Sequence, residues 1–142
     1  EKIMQPFKQC EIKKIIVPEK FTMSPVELKD YIDFDVRRIY FITDMLAPTG
    51  AHCHKVEEEF FILQKGSCTA VVDRGDGLEE IKMQGPTDAL YVANYVWHHF
   101  KDFSDDAVLL ALSSTNYNPD RNDYIEDYDA YLEVRDEKLS ID

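Results

Sequence analysis

Most of the chain is a succession of short stretches in which apolar and polar residues alternate, broken at close intervals by turn residues. Phe7 to Val17 alternates loosely and predicts an edge-like first strand, ended by Pro18, which cannot donate to a strand ladder. Ser24–Pro25–Val26–Glu27 carries the residues of a helix start: Ser at the cap, Pro at the first helical position, Glu at the third. It predicts one or two helical turns through Tyr31. Val36 to Thr43 is a strand whose alternation sets Val36, Arg38, Tyr40 and Ile42 on one face and Arg37, Ile39 and Phe41 on the other. Pro48–Gly50 turns into a strand carrying His52 and His54. Glu59–Leu63 and Cys68–Asp73 flank a turn at Lys65–Gly66, and Arg74–Gly77 is a hairpin tip. Glu80–Met83, Ala89–Val92, Val96–Phe100 and Ala107–Ser113 bring the total to roughly eight or nine short strands, the signature of an all-β sandwich or barrel.

The pattern changes after Asn122. Tyr124, Ile125, Tyr128, Tyr131 and Leu132 recur at helical spacing among acids, which predicts a C-terminal helix packed on the outside of the sandwich. A base-stacking role for these tyrosines conflicts with the negative charge around them. With 142 residues and no linker or repeat, residues 1–142 are expected to form a single domain. The net charge of −12 excludes nonspecific nucleic-acid binding, and an anionic ligand would need local basic residues to hold it. No apolar run approaches membrane-spanning length. Cys10, Cys53 and Cys68 form neither an even disulfide framework nor a metal-like spacing, which suits a cytoplasmic protein.

The chemistry concentrates in His52–Cys53–His54–Lys55–Val56–Glu57–Glu58–Glu59, followed by an apolar run and Gly66. Alternate side chains of a strand share a face, so His52 and His54 point together and Cys53 points away. Glu59 and the distant His98 can reach the same cavity. Such a set serves either of two chemistries: holding a divalent metal or moving protons near neutral pH.

The spacing resembles the first motif of the cupin superfamily, His-x-His-(x)4-Glu-(x)6-Gly. The second motif, Pro-x-Gly-(x)2-His, is kept in spacing only, with Ala93 and Tyr95 in the Pro and Gly positions before His98. Over nearly its whole length the chain further resembles the sugar 3,4-ketoisomerases, the WxcM-like cupins acting on nucleotide-linked 4-keto-6-deoxyhexoses. The matching pieces are Lys13–Lys–Ile–Ile16, Arg38–Ile39–Tyr40, His52-x-His54–Lys55, Gly66–Ser–Cys68, Leu90–Tyr–Val92, Val96–Trp–His98, Asp102–Phe–Ser104, Asp123–Tyr–Ile125 and Tyr128–Asp129. The resemblance implies a small cupin jelly-roll homodimer that makes a dTDP-3-keto-6-deoxyhexose without a required metal or other cofactor. A short sandwich with exposed edge strands also needs a partner to cover them.

That resemblance implies His52, His54 and Tyr40 as catalytic residues. Arg38, Lys55, His98, Lys20 and Glu59 are the expected substrate-binding residues. A buried Arg38 requires a partner, either an acid such as Glu59 or the ligand's pyrophosphate. Trp97 should face away from His98 and serve packing or a dimer contact. His98 stands where family members that invert C4 carry His, which implies a galacto-configured product. Three departures from the family pattern stand out. Lys20–Phe21 replaces an Arg–Gly pair, Thr49 stands where an Arg precedes the Gly before the His pair, and Glu59 replaces Gln. The last restores a metal ligand, so a metal-dependent cupin holding its ion through His52, His54, Glu59 and His98 is the first alternative. A noncatalytic sugar-nucleotide-binding module is the second.

Overall fold

The computed structural model describes residues 5–140, which form twelve strands, one 3-10 turn and one α-helix. Five antiparallel strands make the larger sheet, in the order β1 (Phe7–Glu11), β9 (Asp88–Val92), β6 (Glu59–Lys65), β11 (Val108–Ser113) and β4 (Arg38–Ile42). Facing it are β10 (Trp97–Lys101), β7 (Ser67–Asp73) and β8 (Leu78–Gln84). Two short pairs complete the set: β5 (Cys53–His54) with β12 (Tyr124–Ile125), and β2 (Ile15–Val17) with β3 (Phe21–Met23). The result is the expected jelly-roll sandwich with a C-terminal helix, α1 (Tyr128–Lys138).

Both faces of the central strands of the larger sheet, β9, β6 and β11, are covered, for different reasons. Phe61, Leu63, Leu90, Val92, Leu109 and Ala111 meet Ala70, Val72, Met83 and Phe100 between the sheets. Their neighbours Phe60, Ile62, Tyr91 and Leu112 point outward and are covered by Val26, Tyr31, Ile32 and Phe34. A strand covered on both faces reads as an unbroken apolar run, which is how Phe60–Leu63 reads. Gly66, at φ +82, makes the turn between β6 and β7, where an added Cβ would meet the side chain of Ser104 and sit 2.8 Å from the Ala107 Cα.

Three expectations are corrected. The first strand is broken: Ile12 is buried and its N–H bonds to the Thr87 carbonyl at 2.7 Å, which ends β1 and frees Ile15–Val17 to pair with β3. The Ser24–Glu27 signature yields a 3-10 turn at Leu28–Asp30, with Glu27 at the cap position and no side-chain capping bond. Burial of Val26, Tyr31 and Ile32 on the sheet overrides the local helical preference. In the tail, Tyr124 and Ile125 form β12, and the helix starts only after Asp127, whose side chain caps Asp129 N–H at 3.1 Å. Trp97 packs against Tyr128 and Tyr131, with ring centroids 5.2 and 5.3 Å apart, on the side of β10 opposite His98. No described helix is long and apolar enough to cross a membrane.

Candidate active site

Short strands bring the imidazoles together. His52 precedes β5 and bridges His98 of β10, donating its N–H to the His98 carbonyl at 3.2 Å and accepting the return bond at 2.9 Å. His54 ends β5, and the β5–β12 register sets it opposite Tyr124. Tyr40 and Glu59 reach the same space from β4 and β6, on either side of β11. Alternation separates the acidic run. Glu57 and Glu59 turn inward and are buried, while Glu58 accepts from Tyr91 on the outer face.

Partners that can only accept assign the protons. The Gly50 carbonyl lies 2.8 Å from His52 Nδ1, so that nitrogen carries the proton and Nε2 keeps its lone pair. His54 Nε2 lies 3.0 Å from that lone pair and 3.3 Å from Glu59 Oε1. On the other edge of the ring, His54 Nδ1 donates to Asp123 Oδ2 at 3.0 Å, with Glu57 Oε1 at 3.3 Å. His54 therefore donates from both nitrogens, an imidazolium held among three carboxylates.

The electrostatics agree. Burial, followed by the positive charges of His98 and His54, pushes the His52 pKa down to about 3. Burial also pulls on His54, but the hydrogen bond to Glu59 and the charges of Glu59, Glu57 and Asp123 outweigh it, and its pKa is raised. Glu59 shows the same contest in reverse: burial favours its neutral form, yet contacts with His54 and His98 hold it ionised. Tyr40 donates to Glu59 Oε2, and burial together with that carboxylate keeps the phenol protonated. His98 Nδ1 donates to the Val96 carbonyl at 3.0 Å, which turns Nε2 toward Glu59 Oε1 at 3.6 Å.

Tyr40, His52, Glu59 and His98 line a cavity of about 240 Å³ together with Tyr124 and Arg121, and His54 contacts this set through His52 and Glu59. The structure thus brings together five of the expected residues, His52, His54, Tyr40, Glu59 and His98, sets Arg38 beside them over the Tyr40 ring, and places Lys55 and Lys20 apart. Arg38 pairs with Glu57 at 2.8 Å, rather than with Glu59. Lys55 lies on a second hollow of about 300 Å³ that contains none of the three imidazoles. Lys20 sits in the turn between β2 and β3, outside the lining of the cavity. Four participants were not anticipated: Glu57, Asp123, Tyr124 and Arg121. The segment Asp123–Tyr–Ile125 had matched the ketoisomerases, and that match was the available signal for the tail's contribution.

The donor set also fits a divalent ion. His52, His54, Glu59 and His98 each offer a ligand atom within 4.8 Å of the others, and imidazole with carboxylate suits Mn, Fe, Ni or Zn. An ion bound there would supply Lewis acidity toward a carbonyl oxygen.

A jelly roll whose interior gathers three imidazoles and a carboxylate at the end of a short His-x-His strand is a cupin. Residues 6–136 match the family described as FdtA: WxcM-like, C-terminal, and the chain belongs to that family. It is 36% identical over 120 residues to a TDP-4-oxo-6-deoxy-α-D-glucose-3,4-oxoisomerase from Aneurinibacillus thermoaerophilus, a match spanning 83% of this chain and 85% of that one. A 3,4-ketoisomerase from Helicobacter canadensis superposes with a TM-score of 0.81 at 31% identity, covering 94% of this chain and 99% of the other. A histidine-to-asparagine variant of the 3,4-ketoisomerase QdtA from Thermoanaerobacterium thermosaccharolyticum, in complex with TDP-4-keto-6-deoxyglucose, gives 0.81 at 28% identity, covering 95% and 97%.

Proposed function

We propose that the protein is an isomerase that converts a TDP-linked 4-keto-6-deoxyhexose to its 3-keto isomer through an enediol. The observation that carries this reading is the His52–His54 pair, with Nε2 atoms 3.0 Å apart and opposite protonation states. Family membership and the ligand of the QdtA relative name the substrate class.

The reaction moves protons only. His52 Nε2 takes the proton from C3, the C–H electron pair forms the C3–C4 double bond, and the C4 oxygen becomes an enediolate. Delivery of a proton to C4 and loss of the O3 proton leave the ketone at C3. Atoms and electrons balance within the sugar, so no oxidant or cofactor is consumed. His54 Nε2–H lies within reach of both His52 Nε2 and Glu59 Oε1, so turning it toward Glu59 frees the His52 lone pair as substrate enters. The same charged ring then faces the developing negative charge. Tyr40 acts through Glu59 as a positioning residue, because its phenol remains protonated and donates to that carboxylate. His98 lines the same cavity as the base and is the residue we assign to C4 stereochemistry.

The functional unit in this reading is a cytoplasmic homodimer, supported by three free cysteines and by an apolar, unpaired sheet edge at β4. The test is incubation with a TDP-4-keto-6-deoxyhexose in deuterated water, with and without prior chelation. The 3-keto isomer should form with solvent deuterium on carbon in both samples. His52→Asn should slow it by roughly a hundred- to ten-thousandfold, the range for a positioned acid–base group. No isomer and no exchange would refute the isomerase reading. Turnover that chelation abolishes and a stoichiometric metal restores would move Glu59 from positioning residue to metal ligand.

A further inference from the structure

The cavity that holds the histidines contains one guanidinium, and its position defines where an anion can sit. We propose that Arg121 is the diphosphate-binding residue of the site, reached by the nucleotide sugar across the ring of Tyr124. The inference rests on the ketoisomerase reading above and adds to it the side chain that anchors the phosphates.

The anion needs a local cation. The chain carries a net charge of −12, and the buried Glu59 carboxylate lies inside the cavity itself. None of the lysines or arginines expected from the sequence lines the cavity. Arg38 is committed to Glu57, Lys55 lines the other hollow, and Lys20 sits on the β2–β3 turn. Among the described residues, Arg121 is the lysine or arginine that lines the cavity together with His52, Glu59 and His98.

Its presentation suits that work. The guanidinium carbon lies 3.9 Å from the centroid of the Tyr124 ring, and that ring lies 4.8 Å from His52 and 4.5 Å from His54. Tyr124 thus contacts both the cation and the proposed base, so an anion on Arg121 sits next to the sugar site. Stacking on Tyr124 fixes the plane of the guanidinium, whose N–H edge now faces Glu126 and the Tyr117 side chain and has the geometry for a bidentate contact with an anion. The carboxylate that occupies this edge, Glu126 at 3.0 Å, is exposed, and an exposed ion pair is exchanged at little cost.

The backbone points the same way. Arg121 has φ +54, a left-handed conformation that a long side chain adopts at a cost, and it is held there by two turns. Its N–H donates to the Asn118 carbonyl and its carbonyl accepts from Tyr124 N–H, each at 3.1 Å. Asn118 Nδ2 donates to Asn122 Oδ1 at 3.0 Å across the same loop. Asparagine or glycine would satisfy that φ more readily.

The experiment is calorimetric titration of TDP into the wild-type protein, Arg121→Ala and Glu126→Gln, with thermal unfolding measured on each. Arg121→Ala should weaken TDP binding by about ten- to a hundredfold at unchanged melting temperature, the loss expected for a charge-assisted contact. It should also flatten the salt dependence of binding. Glu126→Gln, which releases the guanidinium, should bind TDP as tightly as wild type or tighter. In turnover with the TDP-sugar, Arg121→Ala should raise KM by more than it lowers kcat. TDP affinity within twofold of wild type in Arg121→Ala would overturn the assignment and leave the isomerase reading standing. Failure of the wild-type protein to bind TDP would overturn both.

Discussion

His52 and His54 are the same side chain two residues apart, and the fold favours the neutral form of one and the charged form of the other. The difference lies in what each ring nitrogen faces: a carbonyl and a cation for His52, carboxylates on both edges for His54. Its raised pKa keeps His54 charged to higher pH than a free imidazole, and activity that uses the charged form falls as pH rises through that raised value. Asp123 is one of the carboxylates responsible. Asp123→Asn should therefore move the alkaline fall of kcat/KM to lower pH, read from pH–rate profiles of the two proteins. An unmoved alkaline limb would show that another group sets it. The His pair was legible because a period of two needs only neighbouring residues. Asp123 was not, because it is 69 residues downstream of His54 and reaches the ring only through strand pairing, which local periodicity cannot report.

Elements were legible where a single local pattern decided them. Tyr40 came to the interior as alternation required, Glu59 reached the same cavity, and Gly66 made its turn. The tail misled because its tyrosines are spaced for a helix whose buried side chain is Tyr131 alone. Its docking depends instead on hydroxyls and one acid. Asp73, fully buried at the end of β7, accepts from Tyr128 Oη at 2.7 Å, Gly75 N–H at 2.8 Å and Arg135 Nη1 at 3.1 Å. Tyr131 Oη donates to the Tyr95 carbonyl at 2.7 Å, and the Tyr95 N–H donates to the His54 carbonyl at the same distance. Through these bonds α1 braces the turn that leads to His98, with Tyr95 at φ +64 in the position where the cupin motif has glycine. Asp73→Asn leaves Arg135 without its buried partner and should destabilise the fold by about 2–4 kcal/mol at neutral pH, measured by urea unfolding. Burial alone would raise the Asp73 pKa, but the bonds from Tyr128, Gly75 and Arg135 outweigh it and hold it low. Stability from this group is thus present above the ordinary carboxylate range and is lost as pH falls through the lowered value. The gap between mutant and wild type should narrow in acid.

At the scale of the molecule, the apolar surface that the single chain leaves uncovered has a definite place. β4 is the last strand of its sheet, and its outward residues Ile39 and Phe41 are 62% and 67% exposed. The β2–β3 hairpin stands as a separate two-stranded sheet with Ile16 at 67% and Phe21 at 56%. An unpaired strand edge and a detached hairpin are both apolar, and in the proposed homodimer a second copy would supply the same two surfaces in return, as twofold closure requires. Tyr40 lies on β4 with its side chain in the cavity, and Lys20 lies in the hairpin turn, so this contact would brace the wall of the site and carry the partner's Lys20 toward it. Each copy also carries −12, so charge opposes the association and salt should tighten it by screening. Sedimentation at micromolar concentration should show two chains. Phe41→Glu or Phe21→Glu should give a monomer with unchanged circular dichroism, since both residues project away from the core. A wild-type monomer under those conditions would refute the interface, as would a Phe41→Glu dimer of undiminished affinity. A dimer that loosens with added salt would place the contact on charged surfaces instead of on these strands.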